Sequence, residues 1–102
     1  MAKIIDLSIG ELSAIESVVL IDVREADEFE DGTIPGAENM PLSEIMQNPK
    51  IFEQDTDKQY VLFCQKGIRS QKACEILIAT GAATEDIHNL LGGYSFWMSY
   101  QS

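Results

Sequence analysis

The stretch Tyr60-Val-Leu-Phe-Cys64-Gln-Lys-Gly-Ile-Arg69-Ser70 decides the fold. Tyr60 to Phe63 are aromatic or branched apolar residues, which reads as a short buried strand. Cys64 follows, then a loop with one glycine. From Ser70 onward Ala73, Ile76, Leu77 and Thr80 recur at helical spacing. Gly81 stands where a helix stop is expected. Cys64 is therefore placed at the carboxyl end of a strand, a few residues from a helix amino-terminus. In open α/β sheets that is the usual place for a ligand site.

The composition of this loop points to sulfur chemistry. Backbone N–H groups in a tight loop and at a helix start are unpaired and favour anions. Lys66 and Arg69 add positive charge, and a thiol in such surroundings is expected to have a lowered pKa. Gly67 lets the backbone turn at a positive φ and wrap closely around whatever Cys64 carries. The loop reads as a seat for a charged sulfur and a small anionic group attached to it. The plainer alternative is a buried strand-end cysteine beside an ordinary turn.

Outward from this unit, strands and helices alternate. Lys3 to Leu7 reads as a strand. Ser8-Ile-Gly-Glu11 has capping-box spacing, so a short helix is expected over Ile9 to Ile15. Val18 to Val23 is a nearly continuous apolar run, the mark of a parallel strand covered on both faces. Glu25 to Glu30 reads as a short acidic helix, and Ala37 to Met40 as a brief strand. Ser43 is placed as the cap of a helix through Gln47, stopped by Pro49. Ile51 and Phe52 are expected to pack beneath a loop. Glu85 to Leu90 suggests a last strand, and Tyr94 to Tyr100 a terminal helix after the Gly92-Gly93 break. The expected fold is one α/β domain over residues 1–102, three layers α/β/α around a mainly parallel sheet.

Composition narrows the function. Seventeen acidic residues against seven basic give a formal net charge of −10. That argues against nucleic acid and against anionic membrane surfaces as partners. An anionic substrate must then be captured by local positive charge, and Lys66 and Arg69 flank one loop. No apolar run is long enough to span a membrane. The amino-terminal residues have no export signature, so a cytoplasmic location is expected. The two cysteines form no CxxC pair and no His/Cys cluster, so no zinc site is expected.

Three segments carry a family resemblance. Asp22-Val-Arg24-Glu25, with Glu28-Phe29, Gly32-Thr-Ile-Pro-Gly-Ala37 and Asn39-Met-Pro41-Leu, resembles the upstream signature of the rhodanese sulfurtransferases. Cys64-Gln-Lys-Gly67-Ile-Arg69-Ser70 resembles their active-site loop, and Leu91-Gly92-Gly93 with Trp97 their downstream element. All three stand in family order and at family spacing. Thr33 departs from the pattern, which commonly has histidine there; local packing rather than chemistry is expected to change. The resemblance implies a five-stranded parallel sheet and a Cys64 that becomes a persulfide, with no metal or organic cofactor needed. It implies thiosulfate as sulfur donor and cyanide or a thiol as acceptor. Cys64 is then the catalytic residue. Gln65, Lys66, Gly67, Ile68 and Arg69 would bind substrate, and Asp22, Arg24 and Ser70 would support the loop.

Other readings stay open. Cysteine-dependent phosphatases and arsenate reductases resemble Cys, five residues, then Arg; here four residues separate Cys64 from Arg69. The shorter loop suits a sulfur atom better than a phosphoryl group. A protein-to-protein sulfur relay is a further alternative. Asp22, Arg24, Glu25 and Glu28 read as a structural charge network, with Asp22 able to accept N–H groups of the cysteine loop. Cys74 reads as a small buried hydrophobe, or else a resolving thiol. His88 reads as structural. Tyr94, Phe96, Trp97 and Tyr100 are expected to cover one end of the core, or else to face a partner.

Overall fold

The computed structural model describes residues 1–101. Its centre is a five-stranded, all-parallel sheet: β1 (Ile4–Leu7), β2 (Val18–Asp22), β3 (Glu38–Asn39), β4 (Gln59–Phe63) and β5 (Ile87–Leu90), in spatial order β1-β5-β4-β2-β3. Parallel strands need crossovers. These are α1 (Ile9–Leu12), α2 (Ala26–Glu30), α3 (Leu42–Gln47) with a 3-10 turn (Pro49–Ile51), and α4 (Ile68–Ala79). A last helix, α5 (Gly93–Gln101), follows β5. No helix among the described residues is long and apolar enough to cross a membrane.

Side chains alternate across β4, as strand geometry requires. Tyr60, Leu62 and Cys64 enter one core with Ile45 of α3 and Ala73, Cys74 and Leu77 of α4. Val61 and Phe63 enter the other, where Ile9 and Leu12 of α1 and Tyr94 and Trp97 of α5 pack. Both faces of the sheet are thus covered, which explains the unbroken apolar run of β2. The β2 and β4 connections leave the sheet toward opposite edges, so their carboxyl ends flank a switch point. Asp22 and Phe63 are paired there, and Cys64 comes next in the chain.

Several boundaries differ from the sequence reading. Helix α1 ends at Leu12, not Ile15, because the chain must turn into β2 through Ser17 at φ 56°. Helix α3 starts directly after Pro41; Ser43 lies inside it, and its hydroxyl donates to Glu25 Oε1 at 2.9 Å. Strand β5 begins at Ile87, because Gln54 Oε1 takes the N–H groups of Thr84 and Glu85 before the strand starts. Phe52 is buried edge-on against Tyr60, ring centroids 5.3 Å apart. The terminal aromatics split: Tyr94 and Trp97 stack and join the core, while Phe96 and Tyr100 stand 57% and 62% exposed. The expectation that all four cover the core is corrected on that point; their spacing along α5 puts them on two faces.

The charge network is buried at one place. Arg24 Nη2 meets Asp22 Oδ2 at 2.8 Å, with both side chains nearly solvent-free. Asp22 also accepts the Arg24 N–H at 2.9 Å and the Thr33 hydroxyl at 2.8 Å. Thr33 is thereby part of this packing. Removing one member of a buried pair leaves the other charge uncompensated. Asp22→Ala is expected to lose about 3–5 kcal/mol in urea unfolding; a loss below about 1 kcal/mol would mean the pair is effectively hydrated.

Candidate active site

The site is built on a helix start two residues earlier than the sequence pattern suggests. Helix α4 begins at Ile68, capped by Gly67 at φ 103°, a left-handed conformation that suits glycine. Ser70 therefore lies in the first turn, where helix N–H groups have no intrahelical partner. Its N–H reaches Cys64 Sγ at 3.4 Å, and the Gly67 N–H reaches the same sulfur at 3.1 Å. The Ser70 hydroxyl stands 3.5 Å from the sulfur. Its one proton is shared between that sulfur and the nearer acceptor, Asn89 Oδ1 at 2.5 Å.

These donors set the state of the thiol. Cys64 is only 1% exposed, and burial alone would push its pKa up. The Ser70 hydroxyl and the N–H groups of Ser70, Gly67 and Lys66 outweigh that, and the thiol lies below its ordinary value. The lowering is carried by neutral hydrogen-bond donors. The sequence reading named both the loop amides and the charges of Lys66 and Arg69; the amides carry the main part, and Arg69 adds a Coulombic attraction to the sulfur. Arg69 is engaged elsewhere, its Nη1 and Nη2 donating to Glu28 Oε1 and Oε2 at 2.7 and 2.9 Å.

The loop is held from behind by α5. The Tyr94 and Ser95 N–H groups donate to the carbonyls of Cys64 and Gln65 at 2.9 and 3.0 Å, and the Ser95 hydroxyl joins the second at 2.9 Å. In a trans peptide the carbonyl and the following N–H point opposite ways. The N–H groups of Gln65 and Lys66 are thus turned away from α5. Gly93 makes this approach possible: a Cβ there would lie 2.3 Å from the Cys64 carbonyl oxygen.

The sequence-predicted residues fall as follows. Cys64, Gln65, Lys66, Ile68 and Arg69 line a shallow cleft of about 370 Å³. Lys66 is exposed, and Ile68 is 79% exposed at its rim. Gln65 Oε1 accepts from Arg24 Nη1 at 3.3 Å. Asp22 accepts from Arg24 and Thr33 and not from the cysteine-loop amides, so that expectation is corrected; its support is relayed through Arg24. Asp22 is spent on the guanidinium because two buried opposite charges two positions apart satisfy each other first. Arg24 also donates to the Gly32 carbonyl at 2.6 Å and lies 4.5 Å from the Tyr94 ring centroid.

Cys74 is fully buried, its Sγ 3.9 Å from the His88 carbonyl. Burial, with Glu75 and Asp6 adding to it, pushes its thiol up to about 12. That environment does not suit a resolving thiol. His88 is buried, with Nδ1 3.3 Å from the Tyr60 carbonyl. No group of three or more His, Cys, Asp or Glu among the described residues is arranged to hold a metal ion.

Asn89 is the residue that sequence reasoning passed over. Besides accepting from Ser70, it donates to the Gly67 carbonyl at 3.3 Å and to Gln71 Oε1 at 3.2 Å. One signal existed: an asparagine inside a strand buried on both faces demands partners.

Fold and site together define an α/β protein with a cysteine at a parallel-sheet switch point and two backbone N–H groups on its sulfur. The model of the rhodanese-like domain matches residues 9–100, and the chain belongs to that family. It is 46% identical over 78 residues to the protein YqhL of Bacillus subtilis, covering 76% of this chain and 59% of YqhL. The chain thus spans less than two thirds of that relative. Over 100 residues it is 32% identical to thiosulfate sulfurtransferase GlpE of Shewanella oneidensis, with 95% of each chain covered. Among solved structures it resembles the human single-domain sulfurtransferase TSTD1, at TM-score 0.75 and 27% identity, covering 94% and 96% of the two chains.

The two cysteines should differ sharply in reactivity. A lowered pKa means more thiolate at a given pH, so iodoacetamide labelling of Cys64 is expected to rise with pH at a midpoint below that of a free thiol. Cys74 should stay unlabelled in the folded protein through pH 10 (about two units under its own value). Peptide mapping after a pH series checks this. Equal labelling of both would contradict the assignment.

Proposed function

We propose that this chain is a sulfurtransferase that moves a sulfane sulfur through a persulfide on Cys64. The observation that carries the reading is the pair of N–H groups, from Gly67 and Ser70, trained on Cys64 Sγ. Donors fixed on a sulfur stabilise negative charge there, as an oxyanion hole does on oxygen. Family membership supports the same reading, since GlpE and TSTD1 are named as sulfurtransferases.

In this mechanism the Cys64 thiolate attacks the outer sulfur of thiosulfate. The new S–S bond forms as the old one breaks, and sulfite leaves with the bonding pair. The persulfide keeps one negative charge on its terminal sulfur, facing the loop amides. Cyanide or a thiolate then attacks that sulfur, and the electron pair returns to Cys64. The thiol lies below its ordinary value, so a larger share of it is thiolate at a given pH, and the mechanism assigns no general base. Persulfides carried on organic thiols, or on a partner protein, enter the same scheme as donors.

The phosphatase reading is disfavoured by the arginine. A phosphoryl cradle needs its guanidinium aimed at the loop centre, whereas Arg69 is tied bidentately to Glu28.

Incubation with thiosulfate followed by intact mass measurement tests the proposal. Wild type should gain the mass of one sulfur atom, cyanide should remove it, and Cys64→Ser should gain nothing. No gain on wild type from thiosulfate or from the monoanionic donor methanethiosulfonate would overturn the reading.

A further inference from the structure

Glu28 stands at the rim of the cleft without touching Cys64. Among the described residues two ion pairs form, Asp22–Arg24 and Glu28–Arg69, and Lys66 belongs to neither. The second pair is about one third exposed, 37% for Arg69 and 34% for Glu28, so water reaches both partners. Its geometry is nonetheless a two-point fork, 2.7 and 2.9 Å, across 41 residues of sequence. Arg69 lines the cleft that Cys64 opens into. The residue best placed to hold a doubly charged donor therefore has its charge cancelled by the protein itself.

The surroundings act in the same direction. Glu25, Asp27, Glu28, Glu30 and Asp31 crowd seven residues around α2, and α2 meets the cysteine loop through this pair. The rim on the other side is apolar, with Ile68 79% exposed. A small dianion approaching the sulfur meets one unpaired cation, Lys66, an acidic helix and a hydrocarbon edge. A singly charged donor with an organic group loses less to the carboxylates and gains contact with Ile68.

We propose that Glu28 is a specificity-determining residue, which by neutralising Arg69 sets the Cys64 site against dianionic sulfur donors and toward sulfane sulfur carried on a singly charged organic group. The inference rests on the sulfurtransferase reading and refines its substrate class. The chemical step is unchanged: thiolate attacks outer sulfur, and the leaving group departs with the electron pair. Glu28 acts on donor binding, through Arg69, and not on that step.

The test compares two donors with the same outer sulfur, thiosulfate as dianion and methanethiosulfonate as monoanion, with cyanide as acceptor. Glu28→Gln keeps the shape and removes the charge. It should lower KM for thiosulfate about fivefold, the size expected when a dianion is relieved of one nearby charge at a partly hydrated site. For methanethiosulfonate the drop should be about twofold, and kcat should hold for both. Glu28→Asp should behave as wild type. Asp27→Asn removes an equal charge from α2 without touching Arg69, and should shift neither KM by more than about twofold. An unchanged thiosulfate KM in Glu28→Gln, or an equal gain in Asp27→Asn, overturns the role of Glu28 while leaving the sulfurtransferase reading intact. Failure of wild type to take sulfur from either donor, read by mass, overturns both.

Discussion

The structure depends on two carbonyl oxygens that do no chemistry. Those of Cys64 and Gln65 are gripped by the first N–H groups of α5, at 2.9 and 3.0 Å. A helix amino-terminus ordinarily offers such donors to a ligand. Here α5 offers them to the protein's own loop, and α4 supplies the donors that face the sulfur. The two helix starts work back to back, with the peptide planes of residues 64–66 between them. Rotating either plane would give up a buried hydrogen bond, which costs on the order of 1–3 kcal/mol when nothing replaces it. The loop is thus held in the conformation that charge on Cys64 requires before any charge arrives, and this pre-organisation is what makes an electrostatic site effective.

The buried Arg24 extends the same constraint across the switch point. It bonds Asp22 at the end of β2, the Gly32 carbonyl before β3 and Gln65 in the loop, and it stacks on Tyr94 of α5. One guanidinium therefore ties together the pieces that meet behind the cysteine. Lysine could not do this, since the contacts use the planar fork and several donors at once. Asn89 does the corresponding work from β5, holding Ser70 and the Gly67 carbonyl at the head of α4. Three strand ends, β2, β4 and β5, so converge on one sulfur, which is what a parallel sheet offers at its carboxyl edge.

Much of this was legible in the sequence, for physical reasons. The unbroken apolar run of β2 signals a strand covered on both faces, hence a parallel sheet. The step from Phe63 to Cys64 to Gly67 marks a strand end and a helix start, because few local structures accommodate that order. What could not be read were pairings set by distance along the chain. Glu28 and Arg69 are 41 positions apart, and Arg24 and Gln65 likewise. A local reading credits Lys66 and Arg69 with a charge effect on the thiol, yet only the fold reveals that Arg69 is already taken. The α5 grip was hidden for another reason: backbone donors carry no side-chain signature, and Gly92-Gly93 looks like a plain break until Gly93 is seen packed against the Cys64 carbonyl. Asn89 was visible as an anomaly within β5, but its partners were not.

On this reading oriented amides at the head of α4, on a loop that α5 keeps in place, stabilise charge on Cys64, and the nearby lysine side chain does not. The direct measurement is a pH titration of the Cys64 thiolate by its ultraviolet absorbance in two variants. Gly93→Ala, which drives a methyl into the Cys64 carbonyl, should raise the thiol's midpoint toward that of a free cysteine, while Lys66→Ala should leave it where wild type has it. A midpoint that rises in Lys66→Ala and stays put in Gly93→Ala would contradict the account.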